Sequence, residues 1–325
     1  MTLLLTGIHG FVGSNLVSVL KERHSIYGLD IVSPEKEGVI KTYLWNELES
    51  LPEVDTIIHL AGKAHDIKLH GRQCRDAINR VSTEYFNINT RLTKKIFDYF
   101  LQSNAKQFIF FSSVKAAANK VEGNILTEDV VPKPVGPYGE SKIAAENYIL
   151  SKGWGIAGQA RNDNKKVYIF RPCMIHGQGN KGNLNLLYQF VSKGIPYPLG
   201  AFENKRSFLN IGNLSYIVEQ FIVQNPDSGI YHLADDEPVS TNELIKLIAQ
   251  SKGKKERIWN LNKSLIKTVA KIGDICKLPL NSERLQKLTE NYIVSNQKMK
   301  QALGITKLPI GSIEGLEKTL KTFIK

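Results

Sequence analysis

Cysteine is scarce in this sequence: of 325 residues only Cys74, Cys173 and Cys276 carry a thiol, scattered and odd in number. That spacing excludes a disulfide framework and a cysteine zinc site, and fits a reducing compartment. No apolar run approaches the roughly 18–20 residues that a membrane-spanning helix needs. The apolar start Met1–Thr6 has no basic residue and is too short for a signal-peptide core. A cytoplasmic protein without membrane insertion is expected. His9, His59, His65 and His176 lack metal-ligand spacing, so they read as structural and no metal site is expected. No repeat or low-complexity tract stands out. The net charge of +12 comes from 43 basic and 31 acidic residues. The lysines are spread out, with mild enrichment at Lys252, Lys254, Lys255, Lys263, Lys267 and Lys271. No basic motif interleaved with aromatics accompanies them, so a nucleic-acid partner is not expected. A basic balance also suits an anionic small substrate.

What is present is alternation. Thr2–Thr6 reads as a strand, Phe11–Arg23 as a helix and Ile26–Asp30 as a strand. Asp55–Leu60, Gln107–Ser112 and Lys166–Phe170 read as further strands, with helices over Glu84–Leu101 and Tyr138–Lys152 between them. Strands alternating with helices predict an α/β fold, a Rossmann-type doubly wound parallel sheet. Uninterrupted apolar stretches such as Phe108–Phe111 suit strands buried on both faces. After about residue 172 glycines and prolines cluster and the pattern becomes irregular. The expected division is a dinucleotide-binding domain over 1–172 and a smaller lobe over 173–325, some of it returning to the first domain. Gly229–Leu233 reads as a strand, Ser295–Leu303 as a helix opened by a serine cap and closed by Gly304, and 311–324 as a terminal helix.

Three constellations carry chemistry. Gly7, Gly10 and Gly13 follow the first strand and open the first helix, Phe11 and Val12 lying between the last two. Such a turn brings backbone close to a pyrophosphate, and the helix end supplies N–H donors and a positive dipole. Asp30 ends the second strand, where a carboxylate takes ribose hydroxyls, and no arginine follows it closely. A 2′-phosphate would meet negative charge there, so NAD is favoured over NADP. Tyr138 and Lys142 stand four residues apart, on one helix face. A phenol is a poor base at neutral pH, and a nearby ammonium stabilises its phenolate. Ser112 and Ser113 end the Phe110-Phe111 strand, and Ser113 is the preferred partner of the substrate oxygen handled by Tyr138.

TGIHGFVGSNL, DTIIHLAGKAH, FIFFSSVKA, PYGESK, RPCMIHGQGN and KRSFLNIGNL occur together and in order. With them the chain resembles the extended short-chain dehydrogenases, specifically the NAD-dependent epimerase/dehydratase family and its UDP-glucose 4-epimerase branch. The resemblance implies that Leu60, Ala61, Gly62 and Lys63 border the cofactor, with Lys63 near the nicotinamide ribose. It places Asn89 at an active-site asparagine and Arg171-Pro172 under the nicotinamide. It assigns Asn183 and Arg206 to the nucleotide diphosphate, a task suited to the planar fork of arginine. It also implies a UDP-sugar substrate and a possible homodimer. One departure matters: the dehydratases of the family carry an Asp-Glu pair after the catalytic hydroxyl, whereas Val114-Lys115 stands here. Dehydration is therefore not expected. The SSVK form is similar to a subgroup near bacterial polysaccharide enzymes, including reductases of 4-keto-6-deoxy-hexosamine nucleotides.

The expected activity is hydride transfer at C4 of a UDP-hexose or UDP-N-acetylhexosamine, with epimerisation as the outcome. An NAD(P)H-dependent reductase of a 4-keto-6-deoxy sugar is the alternative. A non-catalytic NAD-sensing protein on the same fold is the second alternative, but such a protein typically lacks the Tyr–Lys pair.

Overall fold

The computed structural model describes residues 1–64, 81–153, 164–180, 182–276 and 281–323. Its first half alternates as the apolar pattern requires. The strands are β1 (Thr2–Thr6), β2 (Ser25–Asp30), β3 (Lys41–Leu44), β4 (Thr56–His59), β5 (Gln107–Phe111) and β6 (Lys166–Pro172). Helix α1 (Phe11–Leu20) joins β1 to β2. It stops three residues short of the expected Arg23, because Arg23 and His24 both bond back to the Leu20 carbonyl in a tightened last turn. Residues 81–102 are helical, but Phe86–Arg91 is a π-helical segment, followed by α2 (Leu92–Gln102). Helix α3 (Val114–Ala117) is one turn capped by Ser113, and α4 (Gly136–Ser151) opens on Pro137.

All seven strands of the main sheet are parallel. Their order is β10 (Gly229–Leu233), β6, β5, β4, β1, β2, β3. β1 thus pairs with β2 on one side and β4 on the other, and the winding reverses between them. In such sheets ligands bind beyond the carboxyl ends of the strands at the reversal point. The strand period of two sends Leu3 and Leu5 to one face and Leu4 to the other. The first face packs with Ile58, Ile109 and Phe170, and the second with Ile57, Phe108 and Phe110. Every residue of β4 and β5 is buried, as expected of central strands.

Beyond β6 the chain builds short pieces. β7 (Met174–His176) pairs with β9 (Phe208–Asn210), and β8 (Lys205–Arg206) pairs with β11 (Val239–Ser240). Between and after them come α5 (Asn183–Ser192), α6 (Ile211–Gln224), α7 (Thr241–Ser251), α8 (Lys263–Cys276), α9 (Ser282–Thr289), α10 (Gln297–Ala302) and α11 (Ser312–Lys321). Helix α6 and strand β10 join the main core, whereas two small apolar clusters form apart from it. One holds Leu184, Phe208, Ile248 and Leu316, the other Tyr197, Ile245, Ile266 and Leu285. Among the described residues, no helix is long and apolar enough to cross a membrane.

Candidate active site

The turn after β1 leaves no room for side chains. Gly7 has φ +69°, and a Cβ there would lie 2.8 Å from the Ala61 nitrogen on the neighbouring β4 loop. A Cβ at Gly13 would lie 2.5 Å from the Gly7 carbonyl oxygen. These glycines let α1 begin directly against the turn. Gly10 caps α1 with no side-chain acceptor, and the first helical turn has no acidic residue. The opening N–H groups, at Phe11, Val12 and Gly13, therefore face outward with the positive helix end, ready for an anion. Asp30 is buried at the end of β2. Its carboxylate accepts from the His9 N–H at 3.0 Å and from the Ile31 N–H at 2.7 Å. The same carboxylate thus holds the turn from the side where an adenine ribose would sit. A bare cradle of donors beside a carboxylate fits a dinucleotide.

A buried polar column supports the turn. Thr6 Oγ1 and His59 Nδ1 are 2.6 Å apart, and His59 Nε2 lies 2.9 Å from Thr93 Oγ1. Burial, with the Lys142 ammonium nearby, pushes the His59 imidazole down to about 3, so it is neutral and structural. Leu60 leaves β4 with its N–H on the Thr6 carbonyl, and the Ala61 N–H donates to Thr6 Oγ1. Lys63 is fixed twice by Asn89, which accepts from its N–H at 2.8 Å and donates to its carbonyl at 3.1 Å. The Lys63 ammonium pairs with Glu84 at 2.6 Å. Asn89 also donates to Ser141 Oγ at 2.9 Å and is 0% exposed. Asn89 is one of the two buried residues of the π-helical segment. Its amide is engaged by the loop after β4 and by α4, so it acts on the site by positioning both. Gly62 is the close point of that junction: a Cβ there would lie 3.0 Å from Lys142 Nζ.

Tyr138, Lys142 and Glu146 follow each other at four-residue spacing on α4. Burial raises the Tyr138 phenol above its ordinary pKa and outweighs the opposing influence of the Ser113 side chain. The expected depression by Lys142 is not among the influences on Tyr138. The reason is geometric: Lys142 Nζ donates to the Phe111 carbonyl at 2.8 Å. Burial brings this ammonium down to about 8, with Glu146 acting in the opposite sense. Ser112 is not free to join Tyr138, because its hydroxyl donates to Glu146. Glu146 in turn receives Arg171 through Nε at 3.0 and 3.1 Å and through Nη2 at 2.5 Å. Sequence reasoning missed this network, although the spacing 138, 142, 146 marks a single helix face.

Arg206 lies in β8, half-buried, its Nη2 donating to the Lys287 carbonyl. Asn183 opens α5 after Gly182, but its side chain lies outside the described residues, as does His65. Among the described residues, no group of three or more His, Cys, Asp or Glu is arranged to hold a metal.

A half-buried phenol acted on by a serine, beside a glycine turn that fits a dinucleotide, suits proton exchange with a carbinol oxygen while hydride moves to or from a nicotinamide. That is the short-chain dehydrogenase class. Residues 3–231 match the NAD dependent epimerase/dehydratase family, and the chain belongs to it. It is 30% identical over 344 aligned positions to the UDP-glucose 4-epimerase of Vibrio cholerae, an alignment covering 100% of this chain and 96% of that one. It is 25% identical to the N-acetyl-alpha-D-glucosaminyl-diphospho-ditrans,octacis-undecaprenol 4-epimerase of Escherichia coli O157:H7, over 98% of this chain and 94% of the relative. In fold it is similar to the UDP-glucose 4-epimerase of Thermotoga maritima solved with UDP-glucose, with TM-score 0.71, 20% identity and coverage of 99% and 98%. The resemblance read from the motifs is upheld, as are the Rossmann-type sheet and NAD as cofactor.

Proposed function

We propose that this protein is an NAD-dependent nucleotide-sugar epimerase acting at C4 of a UDP-hexose or UDP-N-acetylhexosamine. The observation that carries the reading is the grouping of Tyr138 with Ser113, which acts on its phenol, and with Lys142 one helical turn away, held at the end of β5 by the Phe111 carbonyl. Tyr138 exchanges a proton with the C4 oxygen, and Ser113 steadies the same oxygen. Bound NAD supplies the hydride acceptor and donor and a positive charge that offsets the burial of the phenol. Lys142, held over the end of β5, is placed to take a ribose hydroxyl. Gly7, Gly10, Gly13 and the opening of α1 receive the pyrophosphate, and Asp30 the adenine ribose. Leu60–Lys63 form the wall beside the nicotinamide, locked by Asn89. Arg206 and Asn183 are the residues proposed to hold the substrate diphosphate. The full-length match to 4-epimerases supports this reading. The scarcity of cysteine supports a cytoplasmic setting.

The test is to denature the purified protein mildly and weigh the released nucleotide, then to follow UDP-glucose and UDP-galactose by NMR without added cofactor. Stoichiometric NAD and interconversion at C4 are expected. An empty protein that instead consumes reduced cofactor with a 4-keto sugar would make it a reductase.

A further inference from the structure

We infer that Lys115 is the partner of Arg206 in a two-sided clamp on the sugar-linked phosphate of the substrate. This rests on the nucleotide-sugar reading above, and assigns to Lys115 a role that the departure from the Asp-Glu pattern left open.

Lys115 stands two residues beyond Ser113, on the one-turn helix α3. That helix is locked against the start of α4: a Cβ at Gly139, next to Tyr138, would come 2.6 Å from the Lys115 carbonyl oxygen. The side chain leaves in another direction. Its ammonium lies 4.2 Å from the centre of the Tyr292 ring and donates to the Asn119 carbonyl at 3.1 Å. Tyr292 fixes the opposite side as well. Its N–H bonds the Lys205 carbonyl at 2.9 Å, the Ser207 N–H bonds its carbonyl at 3.0 Å, and its hydroxyl donates to the Ala118 carbonyl at 2.7 Å. One residue therefore sets the position of Arg206 in β8 relative to Lys115 in α3.

The charges around this junction are unbalanced. The groups acting on Lys115 are Arg206 and Lys287, which oppose its proton, and Glu290, which favours it. Burial is the largest influence, and together they bring the Lys115 ammonium down to about 8. Burial also lowers Arg206, with Glu290 and Tyr197 acting the other way. Among the described residues, neither Lys115 nor Arg206 forms an ion pair with a carboxylate, and Lys287 is paired with Glu283 at 2.6 Å. Two half-buried cations that share one carboxylate, Glu290, leave a surplus of positive charge that favours an anion between them. In a nucleotide-sugar whose C4 oxygen rests on Tyr138, the phosphate attached to the sugar is the negative group closest to the reacting carbon. A clamp of this kind reads that phosphate and not the base.

Because burial brings the Lys115 ammonium down to about 8, the clamp also weakens as pH rises past that value. UDP and uridine are titrated calorimetrically into the wild type, Lys115→Met and Lys115→Arg between about pH 7.5 and 9.5, the span across which a lysine lowered to about 8 discharges. Wild-type affinity for UDP is expected to fall through this range. Lys115→Met should bind UDP about tenfold more weakly at the lower end, with no fall above it. Lys115→Arg should stay within about threefold of wild type and lose the alkaline fall, since a guanidinium keeps its proton. Uridine affinity should not respond to either change. Wild-type affinity and the wild-type pH profile in Lys115→Met overturn the clamp. Should that variant not fold, an alkaline fall in Lys115→Arg equal to that of the wild type overturns it. A wild type that does not bind UDP at all overturns the nucleotide-sugar reading and the clamp with it.

Discussion

Replacing Glu146 by glutamine perturbs two things at once, and both can be worked out from the structure. Glu146 is 0% exposed and Arg171 is 1% exposed, and their pairing is the only buried Arg–carboxylate ion pair among the described residues. Glutamine keeps the shape but leaves the guanidinium without a counter-charge. Removing one partner of a buried pair costs about 3–5 kcal/mol. An unfolding entropy of about 2.1 cal/mol/K per residue gives about 0.7 kcal/mol/K for this chain. A loss of about 4 kcal/mol then lowers Tm by about 6 °C. The second effect is on Lys142, whose ammonium Glu146 supports. Lys142 already titrates at about 8, below its ordinary 10.5. Without the carboxylate it loses its proton at still lower pH, so the alkaline limb of the kcat/KM profile moves toward neutrality. Calorimetry and the pH profile check the two effects separately. A Tm within about 2 °C of wild type, with the alkaline limb unmoved, would refute the reasoning about this network. Combining Glu146→Gln with Arg171→Met should recover part of the lost stability, because the stranded charge is then gone.

Tyr138→Phe is expected to keep fold and NAD content while turnover drops by at least about 100-fold, measured as epimerisation of the UDP-sugar. Gly13→Ala places a methyl against the Gly7 carbonyl and Ile8 backbone, neither of which can rotate away. It should cost about 1–3 kcal/mol of stability and yield protein with much less bound NAD, as read by absorbance after denaturation. Asp30→Ala with Ile31→Arg should move cofactor preference toward the 2′-phosphorylated form, checked by titrating both cofactors. If wild type already binds both equally, the reading of Asp30 is wrong.

Much of this was legible in the sequence because its signals are local. The glycine turn, the alternation of strands and helices and the strand Gly229–Leu233 follow from short-range pattern, and Gly304 indeed ends α10 with φ +62°. Boundaries drifted where the chain bends. The expected cap Ser295 does accept the Gln297 N–H at 3.3 Å, but Asn296 stands between it and α10, which runs only over Gln297–Ala302. Edge strand β3 was missed because KTYL follows a polar, proline-containing stretch and is only partly buried. The π-helical segment could not be seen at all. Its cause is tertiary: the bonds of Asn89 to Lys63 and Ser141 exist only once β4 and α4 are in place. Nor does sequence show that Lys142 is drawn to the Phe111 carbonyl, since that depends on where β5 ends.

Asp30 has a consequence for how cofactor choice can change over time. Its two oxygens receive the His9 and Ile31 N–H groups, so the residue proposed to discriminate between nucleotides also braces, through His9, the turn proposed to grip them. Any substitution that relaxes discrimination loosens the grip in the same step. Asparagine, which keeps one acceptor oxygen, is the mildest route, whereas alanine removes both bonds together. A lineage carrying this arrangement is held to its cofactor by mechanics as well as by charge. Laboratory redesign of the preference would have to rebuild the brace to keep cofactor affinity while the selectivity moves.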